Sequence, residues 1–129
     1  MAFTYRIDKT SGIVYLEGEP LDIDEWRQTL FTLFADPDFK AACHFISDRR
    51  FSDKPRSTDF LKTALTFLKA HADQVGKCKW ATVVSTTAAY GMGRMVQILS
   101  EDMDIEVKVF TNIDEARRWL TGEIALPRK

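Results

Sequence analysis

Four cations crowd one short stretch of the chain: Arg49, Arg50, Lys54 and Arg56 run up to Ser57. An arginine fork pairs well with the oxygens of a phosphate or carboxylate. If Ser57 opens a helix, the first N–H groups of that helix add donors to the same place. Asp48, Asp53 and Asp59 are interleaved with the cations, so a solvated loop with internal ion pairs competes with an anion site. A second polar stretch, Ser85, Thr86 and Thr87, follows a strongly apolar run and suits either a ligand contact or a helix cap. Tyr90, Arg94, Gln97 and Glu101 then recur at spacings of four, three and four, which is one stripe along a helix. Tyr90 and Arg94 lie nearest its start, and they complete the candidate ligand- or partner-contacting set.

Other reactive residue types form no comparable pattern. His44 and His71 are the only histidines, and neither has a partner at metal-ligand spacing except adjacent Cys43, which would point to the opposite face of a strand. The expectation is no metal, no cofactor and no catalytic residue, since no nucleophile elbow or similar motif occurs either. Gly91-Met92-Gly93 lacks the third glycine and the distant acidic residue of a dinucleotide fingerprint. These glycines suit close packing of a helix against a neighbour, at a cost of about 1 kcal/mol in helix propensity. Trp26, Phe31, Phe34, Phe60 and Phe67 suit core packing, with Phe31 and Phe67 on the flanks of their helices, where a lipid pocket or a dimer contact is the alternative.

The elements that must position these residues are legible from periodicity. Phe3, Tyr5 and Ile7 alternate with polar residues as a strand does; Ser11-Gly12 reads as a turn, and Ile13 to Leu16 as an antiparallel neighbour. Asp22 with Glu25 predicts a helix start, and Asp36-Pro37 its end. Cys43 to Asp48 is a third strand. Ser57 caps a helix whose apolar face is Leu61, Ala64, Leu65, Leu68, Ala72 and Val75. Trp80 to Val84 shows no alternation and reads as a strand buried on both faces. A helix carrying Ala88 or Ala89, Met92, Met95 or Val96, and Leu99 follows, then an edge strand, Ile105 to Phe110, and a last helix opened by Asn112 with Glu115. The order predicts an α/β domain over residues 1–129, with a mixed, mostly parallel five-stranded sheet, an antiparallel N-terminal edge strand and about four helices. Helix starts then gather at the carboxyl edge of the strands, where α/β sheets bind ligands.

With 129 residues the chain suits one core without staples, and 18 Lys plus Arg against 19 Asp plus Glu leave a net charge of −1. Such a balance offers no basic field to nucleic acid or an anionic membrane. No apolar run is long enough to span a bilayer, and Cys43 and Cys78 read as buried apolar residues that can meet across a sheet. A soluble, cytoplasmic protein with reduced thiols is expected.

The segments KWATVV, YGMGRM, VKVF and EARRWL, preceded by DPDF and ISDRR, resemble the bacterial SpoIIAA-like family of the STAS-like fold group, itself similar to CRAL-TRIO lipid-transfer domains. The resemblance runs from about Tyr5 to Leu120. It implies a four-turn β-α superhelix in a cytoplasmic, often homodimeric bacterial domain, acting without catalysis on a protein partner. In the anti-sigma-factor antagonists of that fold, a serine at the start of the second helix is phosphorylated. Here the corresponding loop is FSDKPRSTDF, longer, glycine-free and more charged, which leaves Ser57 by position, or Ser52 by neighbourhood, as the phosphoacceptor. The alternative function is a carrier or sensor of a small amphipathic anion such as a fatty acid, its head held by Arg49, Arg50 and Arg94 and its tail by the aromatic flanks.

Overall fold

A computed structural model describes residues 3–40, 43–52 and 56–122. Its elements are β1 (Thr4–Asp8), β2 (Ile13–Glu17), α1 (Ile23–Phe34), β3 (His44–Asp48), α2 (Thr58–Ala70), α3 (Ala72–Val75), β4 (Cys78–Val83), α4 (Thr87–Leu99), β5 (Ile105–Phe110) and α5 (Ile113–Thr121). The strands form one five-stranded sheet in sequence order, with β1 antiparallel to β2 and every later pair parallel.

Local chemistry sets the boundaries. The β1–β2 turn is held by the Asp8 carboxylate, which accepts from the Thr10 and Ser11 N–H groups, while Gly12 takes the positive φ that the turn needs. Four helices open on side-chain caps: Asp22, Ser57, Thr86 and Asn112 accept from the N–H three residues on. Each cap contributes about 1 kcal/mol. At α1 the box closes one residue early, because Glu25 accepts from the Leu21 N–H. The helix expected to run from Ser57 through Val75 instead breaks at His71, whose φ of −113° and ψ of 30° leave the helical region. That break adds the one-turn α3 and brings the helices to five among the described residues.

Topology then dictates where the helices lie. From β2 to β5 each strand advances one place in the same direction, so right-handed crossovers put α1, α2 and α4 on a single face. That face presents Val14, Leu16, Phe45, Trp80 and Val107 to Trp26, Leu30, Leu33, Ala64 and Leu68. The opposite face presents Ile13, Tyr15, Ile46, Ala81, Val83 and Phe110, and α5 packs on it with Ala116, Trp119 and Leu120. Its Arg117 Nε anchors it to the Tyr15 hydroxyl at 2.9 Å. Two covered faces explain why β4 shows no alternation. Gly93 explains itself as well: a Cβ there would meet the Val109 Cγ2 at 2.5 Å, so only glycine lets α4 settle on β5. Gly91 faces open space, and no contact in the structure accounts for it.

Candidate functional site

A cleft of about 100 Å³ opens between α2 and α4 over the carboxyl half of β3 and β4. Its existence follows from side-chain size. Ala64 on α2 and Ala89 and Gly93 on α4 face one another with too little volume to close the gap, so α2 and α4 stand apart over the sheet. The walls are otherwise apolar, with Leu61 and Leu65 on one side and Met92 and Val96 on the other. The floor is the Trp80 ring, stacked on Phe45 at 4.2 Å between centroids, with its indole N–H donated to Ser47 Oγ at 2.9 Å. Ser47 and Thr82 are paired in register, so two hydroxyls stand side by side in a floor that is otherwise apolar.

Two guanidinium groups flank the mouth. Arg49 is buried; its backbone N–H extends the sheet to the Val83 carbonyl at 2.8 Å, and its side chain pairs with Glu19 at 3.3 Å. Arg56, one residue before the Ser57 cap, lies over the Phe60 ring at 4.5 Å. Burial, with the Arg49 charge beside it, pushes the Arg56 guanidinium down to about 9, and Glu19 only partly offsets this. An arginine keeps its proton at neutral pH, so the shift measures how unfavourable a cation is in that place. A bound anion reverses the sign of that environment.

The residues expected from sequence are distributed unevenly around this cleft. Arg49 and Arg56 line it, and Ser57 caps α2 beside them with an exposed side chain. Asp48 and Arg50 do not reach it. Strand alternation turns Asp48 to the α5 face, in the row of Glu17 and Val83, where Arg50 closes on it with Nε at 2.9 Å and Nη2 at 2.7 Å. That hydrogen-bonded pair holds the Asp48 carboxyl below its usual range. Ser85 is exposed, and Thr86 is used up as the α4 cap. Tyr90 and Arg94 lie on the flank of α4 away from α2, since the turn that points Met92 and Gly93 inward carries them outward. The anionic head assigned to Arg49, Arg50 and Arg94 therefore has Arg49 and Arg56 to meet it instead. Phe31 and Phe67 do not supply a tail site either: they pack edge-on at 5.2 Å between α1 and α2, and the aromatic residues of the cleft are Trp26, Phe60 and Trp80.

No protein-family model, curated protein or solved structure matches the chain. Among the described residues no cluster of histidine, cysteine and carboxylate side chains can hold a metal, and no helix is long and apolar enough to cross a membrane. Ser47, Thr82, Trp80 and Glu19 are the contributors that residue patterns did not single out. Ser47 and Thr82 each interrupt an apolar strand, a signal that acquires meaning only once the register sets them side by side.

Proposed function

We propose that this is a non-catalytic binding domain whose ligand is a small amphipathic anion, with its acid group between Arg49 and Arg56 and its apolar part over Trp80. One observation carries the proposal: an apolar cleft whose mouth holds a guanidinium made unfavourable by burial and by a second guanidinium. The cleft also sets the size of the tail. An apolar cavity of about 150 Å³ accepts benzene, and drug-sized pockets start near 300 Å³. At about 100 Å³ the cleft suits a short alkyl or small aromatic carboxylate, and a long-chain fatty acid requires α2 and α4 to part. Hydroxyl groups of Ser47 and Thr82 in the floor favour a ligand with one further polar atom.

Thermal unfolding in the presence of hexanoate, benzoate and 1-hexanol tests this. The two carboxylates are expected to raise the midpoint by several degrees at saturation, because a ligand at a hundred times its Kd adds about 2.7 kcal/mol. The alcohol is expected to do far less. Equal responses to all three, or none, contradict the assignment of Arg49 and Arg56.

A regulatory reading has its own supporting observation. Ser57 is exposed at the first turn of α2, next to Arg56, where a phosphate would meet helix N–H groups and a guanidinium. In that reading the domain is STAS-like, bacterial and cytoplasmic, and a protein partner senses the charge. Phosphopeptide mapping from native cells that never finds Ser52, Ser57 or Thr58 modified removes it.

A further inference from the structure

Among the described residues β5 ends the sheet, and no strand lies on its far side. The ladder fixes which of its backbone groups are spent. The Cys78 N–H reaches the Asp104 carbonyl and the Val84 N–H reaches the Phe110 carbonyl, so even-numbered residues of this strand turn their N–H and C=O toward β4. Ile105, Val107 and Val109 turn theirs outward, to the edge on which no described strand pairs.

The side chains along that edge are self-complementary. Glu106 and Lys108 stand two apart on the α5 side of β5, and neither makes an ion pair among the described residues. Charges on an edge strand ordinarily discourage pairing, and like charges here would do so. A Glu and a Lys two apart do the opposite. When the strand meets a second copy antiparallel about Val107, Glu106 faces Lys108 of that copy and Lys108 faces its Glu106, at the close non-hydrogen-bonded positions.

The flank of α4 beyond β5 carries the same symmetry. Tyr90, Arg94, Ile98 and Glu101 lie along it; Ile98 is 59% exposed, and neither Arg94 nor Glu101 makes an ion pair among the described residues. Two antiparallel α4 helices centred beside Ile98 set Arg94 against Glu101 of the second copy and Ile98 against itself. This centre coincides with that of the strand. Gly93 sits on Val109. From Val109 to Val107 is about 6.6 Å along a strand, and from Gly93 to the midpoint of Arg94 and Glu101 is about 6.8 Å along a helix running the other way.

We infer that the β5 edge and the outer flank of α4 form one isologous surface, and that its partner is a second copy of this chain. A twofold axis through Val107 joins the two sheets and converts four charges without ion-pair partners into pairs of opposite sign.

Sedimentation equilibrium of the full chain, with Arg94→Glu and Glu101→Arg variants, tests the inference. The unaltered protein is expected at twice 14.8 kDa at micromolar concentration. Each variant alone places like charges together twice and is expected to dimerise roughly tenfold or more weakly. Mixing the two variants restores opposite charges at both positions and is expected to restore the dimer. Both sites are exposed, so the variants keep their fold, and circular dichroism checks this. A monomeric parent, or a dimer whose strength ignores both variants and their mixture, overturns the surface. Glu106→Lys mixed with Lys108→Glu repeats the test on the strand, with the same expected loss and recovery.

Discussion

Gly93 lies so close to Val109 that a single added carbon would come within 2.5 Å of the valine Cγ2. The contact brings α4 down onto β5 and fixes one wall of the cleft. Gly93→Ala is therefore expected to lose stability: overpacking costs about 1–3 kcal/mol, more than the roughly 1 kcal/mol that alanine adds in helix propensity. Gly91 has open space around it and no positive φ, so Gly91→Ala is expected to gain about 0.5–1 kcal/mol. Urea denaturation of the two variants should give shifts of opposite sign, and a shared sign would refute the packing account.

His44 introduces a pH dependence. Its Nδ1 accepts the Lys79 backbone N–H at 3.0 Å, so the folded state needs the neutral ring. Burial, with the Lys79 charge behind it, holds the imidazole below its ordinary 6.5. A base depressed in the folded state leaves stability whole above pH 6.5, where both states are neutral. As pH falls through 6.5 toward the folded value, the unfolded chain takes up the proton first and stability is lost. His44→Gln keeps an acceptor that does not titrate. Its stability is expected to change less than that of the parent protein between pH 7.5 and 5.5, and parallel curves would exclude His44 as the source.

Cys78 stands in β4 with Cys43 as its neighbour at the amino end of β3, the cross-sheet meeting that the sequence suggested. Burial, with Cys43 adding to it, pushes the Cys78 thiol up to about 12. At pH 8 that leaves very little thiolate, and the thiolate is the reacting form. With a thiol reagent the native protein is expected to label half-buried Cys43 first and Cys78 only after unfolding. Fast labelling of Cys78 in the native state would show that this end of the sheet opens.

Legibility in the sequence followed the range of the interactions. Alternation around Tyr5 and along Ile105 to Phe110, the caps at Asp22, Ser57 and Asn112, and the stop before Pro37 are local, and the structure has them where the spacing put them. Arg49 and Arg56 at the mouth follow from their place beside a helix start at the carboxyl edge. What failed was direction. Whether Asp48 or Arg49 points toward α2 depends on which face three crossovers occupy, and whether Arg94 or Met92 faces the cleft depends on which flank of α4 meets α2. The break at His71 was equally hidden, because Ala72 and Val75 continue the apolar spacing on the far side of it.

Three native tryptophans report on the cleft. Trp26 and Trp80 line the cleft, while Trp119 lies on the opposite face under α5. Following their indole N–H resonances while hexanoate is added is the most direct measurement. Trp80 is expected to shift and saturate, Trp26 to follow it, Trp119 to stay in place, and Arg56→Gln to abolish the response at the same concentrations. Resonances of Trp80 and Trp26 that ignore the carboxylate, or that move equally in the Arg56→Gln protein, would contradict an anion site in this cleft.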